Sequence, residues 1–140
     1  MRLLITTPTA VVVDDSDVVS LRAADESGGF GILRGHIDLL TALTISIVRW
    51  RDASGRERYC AVRYGVLSVA NGNEIAIATR EAISGDNLDH LESVVLTQFR
   101  EALEAERTAR TESLKLQMNA IRQIVRYLRP QRAGIVGGGG

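Results

Sequence analysis

The chain has 140 residues, the length of one domain or of one domain with a small appendage. Its 17 basic residues balance its 17 acidic residues, so no overall field draws it to nucleic acid or to an anionic membrane. The apolar stretches 3–13 and 39–48 are shorter than the roughly 20 residues that span a bilayer. We therefore expect no nucleic-acid binding and no direct membrane insertion, and partners that are recognised through local patches.

The compartment is indicated by the amino terminus and by cysteine usage. No secretory signal with a small-residue cleavage site precedes the first acidic pair, and the single cysteine, Cys60, cannot form an internal disulfide. Both features are typical of the reducing, cytosolic side. Cys60 lies in an apolar run, which favours a small buried side chain in a strand over a reactive thiol.

Residues 3–80 consist of short, β-branched apolar runs separated by turn residues at spacings of roughly 8 to 12 residues. No long helix lies between the runs, so parallel crossovers have no room and an antiparallel β-sandwich or flattened barrel is predicted. The predicted strands are LLITT, AVVVDD, VVSLRAADE, LTISIVRW, RYCAVRYG, VLSV and EIAIATR. The predicted core residues are Ile45, Ile47, Val62, Leu67, Val69, Ile75 and Ile77.

Two turns can be placed within this region. Asn71 and Gly72 both suit positive φ and predict a two-residue hairpin between VLSV and EIAIATR. The segment 52–55, Asp-Ala-Ser-Gly, predicts the tip of another hairpin.

After Gly85 the apolar spacing changes from two residues to three and four, which predicts amphipathic helices over 87–130, with Asp86 as the N-cap. Residues 104–113 interrupt the apolar stripe without glycine or proline. Two alternatives remain open, an antiparallel helical hairpin capped by Thr108 or Thr111 and one long helix. The predicted domains are therefore a β-sandwich at 1–86, a helical region at 87–130 and a disordered tail at 131–140.

The Gly-rich segment GGFGILRGHIDLLTAL, residues 28–43, is the main candidate for a phosphate-binding turn or an active site. It lacks the third glycine of a dinucleotide-binding turn and the Lys-Ser/Thr of a phosphate loop. His36 has only His90 and Cys60 as potential co-ligands in the sequence, too few for a zinc site, and no nucleophile elbow is present. We expect no catalytic residue, no metal and no cofactor.

Residues 28–41, GGFGILRGHIDLLT, resemble the G-x-x-G-I-x-P-G-H-x-P-x-x-T signature of the epsilon subunit of rotary F-type ATP synthases. Residues 63–69, RYGVLSV, match a second feature of that family, and the order of sandwich and helices also agrees. Arg34 and Asp38 stand where the common form has proline, and these departures, with the VRW strand, resemble the divergent N-type group.

The resemblance implies a non-catalytic central-stalk subunit that couples the membrane c-ring to the gamma subunit. It places the protein peripherally, at the cytoplasmic face of the inner or plasma membrane. The implied contact residues for the ring and gamma are Gly29, Phe30, Gly31, Arg34, Gly35, His36 and Asp38. The alternative is a stand-alone β-sandwich and helical-hairpin interaction module, which would lack a catalytic beta-subunit gene beside its own.

The second half of the helical region is basic, with five basic and no acidic residues over 113–132. Arg122, Arg126 and Arg129 form one stripe beside the apolar face. The resemblance implies that such helices inhibit ATP hydrolysis by contacting the alpha and beta subunits; the alternative is a solvated face with helix-dipole stabilisation. Asn87-Leu88-Asp89-His90-Leu91 lacks the Arg-Ala of the family's ATP-binding motif, so no ATP binding is expected.

Overall fold

The computed structural model describes the backbone of residues 1–139 and the side chains of residues 1–128. Eight strands form the predicted β-sandwich and are followed by helix. The strands are β1 Arg2–Thr6, β2 Val11–Asp15, β3 Val18–Asp25, β4 Gly28–Leu33, β5 Leu39–Leu43, β6 Ser46–Asp52, β7 Glu57–Ala70 and β8 Glu74–Gly85. The helical elements are α1 Leu88–His90, a π-helical turn at Leu91–Val95, and α2 Leu96–Gly139.

The strands are hydrogen-bonded in the order β2-β1-β8-β7-β5-β3-β4, and β6 pairs with β3 and β7. The sequence predicted only antiparallel pairing, yet β1 and β8 are parallel. Parallel pairing is not predicted from the sequence, because consecutive parallel strands need a crossover helix between them. Here the pair joins the first and last strands, and the rest of the sandwich is the connection between them.

Strand β7 is longer than the sequence predicted, because the runs RYCAVRYG and VLSV form one strand of 14 residues. Its first half pairs with β6 and its second half with β5. Tyr64, at the junction, has a φ of 56°, and a Cβ on Gly65 would overlap the carbonyl oxygen of Ala78. The sequence predicts a strand end at this irregularity, but in the structure the strand continues through it.

Two apolar clusters lie on opposite faces of the sheet. The main core contains five of the seven predicted core residues, namely Val62, Leu67, Val69, Ile75 and Ile77. The other two, Ile45 and Ile47, are only partly buried and pack with a second cluster formed by Ala61, Leu91, Val95 and Phe99. The start of the helix therefore covers the outer face of β6 and β7, and the predicted core was wrong in assigning all seven residues to one interior.

The turns differ in detail from the prediction. Asp52 accepts hydrogen bonds from the backbone nitrogens of Ser54 and Arg56 at 3.0 Å, which confirms the hairpin tip at 52–55. Asn71 and Gly72 have the predicted positive φ, 56° and 69°. Their loop has three residues, because Ala70 pairs with Glu74.

The helix begins at a different cap from the predicted one. The side chain of Asn87 accepts a hydrogen bond from the backbone nitrogen of His90 at 3.2 Å, whereas Asp86 pairs with Arg56. Asn87 has the extended backbone conformation of an N-cap residue.

Over residues 104–113 the structure has one continuous helix and no hairpin. Thr111 donates its hydroxyl to the carbonyl oxygen of Arg107 at 2.9 Å, the bond of a threonine inside a helix. Without glycine or proline to end it, the helix continues. The chain divides into compact units at Met1–Arg100 and Glu101–Gly140. The expected disordered tail at 131–140 lies outside the residues whose side chains the structure describes.

Candidate partner-binding surface on the sandwich

Two turns meet at one end of the sandwich. The backbone nitrogen of Gly35 donates to the carbonyl oxygen of Gly72 at 2.7 Å, and Asp38 accepts from the backbone nitrogen of Asn71 at 3.1 Å. Gly35 has a φ of 86°, which glycine adopts without strain. The turn at residues 34–35 and the loop at residues 71–73 therefore brace each other across the end of the sandwich.

The braced turns present a surface that is both cationic and apolar. Arg34 is exposed and makes no ion pair or hydrogen bond among the described residues. Beside it along the chain, Leu33, Ile37 and Leu40 are 62%, 79% and 74% exposed. We call these four residues the end surface. Three large apolar side chains at the tip of a sandwich are unfavourable in water, so this surface is suited to a partner.

Among the described residues, the His36 side chain bonds only to its own segment. Its Nδ1 lies 2.6 Å from the carbonyl oxygen of Ile37, so Nδ1 carries the proton, and its backbone nitrogen donates to Leu33 at 3.1 Å. These bonds orient the ring within the turn. Asp38 is likewise engaged with the backbone of Asn71, and both residues shape the end surface.

The seven predicted contact residues do not form one turn. Arg34, Gly35, His36 and Asp38 lie at the end of the sandwich, whereas residues 29–31 lie within strand β4. At the rise of a β-strand, Gly29 is about 16 Å from Arg34. Phe30 is half-buried and packs against the main core, so only Gly29 and Gly31 face outward. The Gly-rich segment is therefore part strand, over residues 28–33, and part turn, from Arg34 onward.

Sequence reasoning missed the apolar part of the end surface. Leu39 and Leu40 belong to a continuous apolar run, which does not show which residue faces outward. In the structure Leu40 is opposite Ser68 and Leu39 is opposite Val69, which belongs to the core. The alternation of polar and apolar residues along β7, which pairs with β5, was the sequence signal for which of the two leucines faces outward.

Other candidate sites have little support among the described residues. Within that part of the chain no group of three or more His, Cys, Asp or Glu side chains could hold a metal ion. Cys60 is fully buried, and desolvation raises the pKa of its thiol to about 12, as expected for a structural side chain. Over the same residues, no helix is both long and apolar enough to cross a membrane.

The second unit presents an exposed amphipathic helix. Arg122 and Arg126 are exposed, while the side chain of Arg129 lies outside those that the structure describes. The exposed large apolar side chains of this helix are Leu114, Leu116, Met118, Ile121, Ile124, Val125, Tyr127 and Leu128. A helix with this much apolar surface in water is suited to packing against a partner.

Comparison with known proteins identifies the class. The sequence profile of the ATP synthase delta/epsilon chain β-sandwich domain matches residues 1–85. An ATP synthase epsilon chain 2 from Paraburkholderia xenovorans is 46% identical, covering 94% of this chain and 95% of that protein. An epsilon chain 2 from Cereibacter sphaeroides is 42% identical, covering 91% and 88% respectively. The chain belongs to the ATP synthase delta/epsilon family, and within it to the epsilon chains.

A solved structure agrees at the level of the fold. A chain of the mitochondrial ATP synthase of Euglena gracilis, from a structure of OSCP, F1 and the c-ring, superposes with a TM-score of 0.58. It is 22% identical, and the match covers 76% of this chain and 62% of that one. This structural likeness agrees with the β-sandwich fold that the family assignment implies.

Proposed function

We propose that this epsilon chain is a non-catalytic part of the central stalk, and that it couples the membrane c-ring to the gamma subunit through the end surface. The observation that carries the proposal is the exposure of Leu33, Ile37 and Leu40 beside Arg34, which has no ion-pair partner among the described residues. An apolar patch with one cation at its edge can bury against a partner while the charge fixes the orientation.

Transmission of torque requires a rigid contact. The Gly35–Gly72 and Asp38–Asn71 hydrogen bonds tie the turn to the loop between the long strands β7 and β8. A load on Arg34 is therefore carried into the sandwich rather than absorbed by a free loop. In this arrangement the subunit lies peripherally on the cytoplasmic side of the membrane, between ring and shaft.

The test uses the assembled synthase with Arg34→Glu or Ile37→Asp in this chain. We expect each variant to weaken incorporation into the complex and to lower ion-driven ATP synthesis. The isolated chain should unfold as before, since exposed substitutions usually change stability by about 0.5 kcal/mol or less.

Val11→Asp is the matched control, because Val11 is also 62% exposed but lies in β2, near the opposite end of the parallel β1–β8 pair. It should leave assembly and synthesis intact. If Arg34→Glu and Ile37→Asp support the same incorporation and synthesis as the control, the end surface is not the coupling contact.

We further propose that the exposed helix inhibits ATP hydrolysis by packing among the alpha and beta subunits. Its exposed apolar side chains support this, together with the exposed cations Arg122 and Arg126.

A further inference from the structure

The two edge strands of the sheet differ in their protection. Strand β2 pairs only with β1 and carries Asp14 and Asp15, which discourage pairing with a foreign strand. Strand β4 pairs only with β3 and has the sequence GGFGIL, without a charge or a proline. An unprotected edge of six residues offers its free backbone groups to another chain.

The outward glycines of β4 are not needed by the chain itself. Gly29 and Gly31 are not among the positive-φ residues, and a Cβ on either would come no closer than ordinary contact. The nearest atom to such a Cβ on Gly31 is the carbonyl oxygen of Leu21 at 3.8 Å. Glycine weakens a strand, and glycine inside a strand often marks a site where another backbone approaches closely.

An arginine pair lies directly beside these glycines. Arg22 of β3 is opposite Gly31 on one side and opposite Arg49 of β6 on the other. Like charges opposite each other destabilise a sheet, and neither arginine has an ion-pair partner among the described residues. Arg51 follows on the same face and is paired with Glu57 at 3.0 Å. Arg22, Gly31, Arg49 and Arg51 line a groove of about 450 Å³, and Glu57 is the one acidic side chain in its lining.

We propose that β4 receives an extended acidic segment of a partner protein as an added strand, one of whose carboxylates binds Arg22, while Arg49 on the next strand adds positive charge behind it. Neighbouring strands are about 4.8 Å apart, so the added strand would lie roughly 10 Å from β3. An arginine and a glutamate together span that distance across Gly31, where no side chain intervenes. Backbone pairing supplies affinity, and the charge-assisted bonds select acidic residues.

This inference deepens the proposed function, on which it rests for the assembly that contains the partner. It assigns a separate chemistry to Gly29 and Gly31, which the end surface does not include. The acidic segment supplies Arg22 with a carboxylate that no described residue places within ion-pair distance.

The test titrates the full chain into a labelled peptide of about seven residues that alternates glutamate and threonine, matched to the length of β4. A second peptide has glutamine at each glutamate. We expect the acidic peptide to bind more tightly than its glutamine counterpart, with affinity that falls as salt rises. On binding, amide exchange should slow within Gly28–Leu33.

Three variants locate the site. Arg22→Gln with Arg49→Gln should weaken binding about tenfold or more. Arg2→Gln with Arg56→Gln removes the same charge elsewhere and should change it less than about twofold. Gly31→Val should weaken binding while the chain still unfolds cooperatively, because its Cβ meets no close neighbour.

Absence of binding at about 1 mM peptide, equal binding of the glutamine peptide, or protection confined to other strands would each overturn the proposal. The peptide experiment needs no synthase, so its failure would leave the coupling role of the end surface standing. Conversely, normal assembly of Arg34→Glu would overturn that role and not the acidic-strand site.

Discussion

The backbone nitrogen of Gly35 donates to the carbonyl oxygen of Gly72 at 2.7 Å, and this bond joins two turns that are far apart in the sequence. The contact is close enough that a Cβ on Gly72 would lie 3.0 Å from the Cα of Gly35. The glycine after Asn71 therefore serves both the hairpin and the packing of the end surface.

Gly72→Ala should destabilise the chain more than Gly55→Ala. Both glycines have positive φ, 69° and 84°, so both substitutions carry the left-handed penalty of about 1 kcal/mol. Only Gly72 also has a crowded neighbour, whereas a Cβ on Gly55 meets nothing within 4 Å. We expect about 1 kcal/mol of additional loss at Gly72, measured by urea unfolding. Equal losses would mean that the Gly35 backbone moves aside without cost.

A second glycine pair tests the packing of β7. Gly65→Ala should cost about 2 kcal/mol or more, because the new methyl group overlaps the backbone of Ala78 in β8. Gly31→Ala is the control and should be neutral or slightly stabilising, since alanine has less backbone freedom to lose. Thermal unfolding of the two variants checks this, and a mild effect at Gly65 would contradict the observed closeness of β7 and β8.

The fold was largely predictable, because alternation and turn chemistry are local signals. Asn71 and Gly72 indicated a hairpin correctly, and the core residues Leu67 and Val69, which are two apart in the run VLSV, followed from the alternation. The parallel β1–β8 pair was not predictable from runs alone, since strand partners are chosen by tertiary packing. Ile45 and Ile47 were misassigned because an apolar face does not reveal whether a sheet or a helix covers it.

The helix start should stabilise the sandwich that precedes it. Leu91, Val95 and Phe99 are buried against Ala61, so a fragment that ends at Gly85 loses this cover. We expect 1–85 to unfold cooperatively, but with lower stability than 1–100 by roughly 2 to 5 kcal/mol. Denaturant unfolding of both fragments checks this. Equal midpoints would contradict the contribution of the helix, and non-cooperative unfolding of 1–85 would contradict an autonomous sandwich.

Point substitutions separate burial from helix propensity in the same turn. Val95 is 4% exposed and Val94 is 40% exposed. Val95→Ala should therefore cost about 2 kcal/mol, and Val94→Ala much less, in urea unfolding of the full chain. Similar losses at both positions would show that helix formation, rather than packing, is responsible.

The candidate site was only partly predictable. The resemblance of one segment indicates Arg34 and His36 as contact residues, which stays a prediction, whereas the exposure of Leu40 depends on the strand register. The separation of the end surface from β4 also depends on the tertiary structure. Residues 28–35 are not among the predicted strands, whereas in the structure Gly29 and Gly31 lie in a strand paired with β3.

Asp25 should make stability depend on acid pH. Its carboxylate accepts hydrogen bonds from the hydroxyl of Ser27 and from the hydroxyl of Thr41 at 2.8 Å, and these bonds lower the pKa of Asp25 in the folded chain, Ser27 most. A lowered pKa contributes stability that is fully present above the unfolded-state value of about 3.9. That contribution is lost as the pH falls through the folded-state pKa.

Asp25→Asn should therefore be less stable than the parent at neutral pH, and the difference should shrink below about pH 4. Urea midpoints measured from neutral to acid pH provide the test. A difference that stays constant over this range would show that the effect of the substitution does not come from ionisation.

The basic stripe of the helix should restrain ATP hydrolysis by the assembled enzyme. Arg122 and Arg126 lie on one helix face beside exposed Ile121 and Val125, so apolar packing and charge can act on the same partner. Changing Arg122, Arg126 and Arg129 to alanine should raise hydrolysis at low salt, and ending the chain at Thr111 should raise it at least as much. In the parent enzyme, added salt should also relieve the restraint, because exposed charges are screened beyond about 8 Å at physiological ionic strength.

Arg107→Ala with Arg110→Ala is the control, since these arginines lie on the same helix but before the apolar stripe. Hydrolysis no faster in the triple variant and the truncated chain than in the parent would reduce the stripe to a solvated surface of the helix.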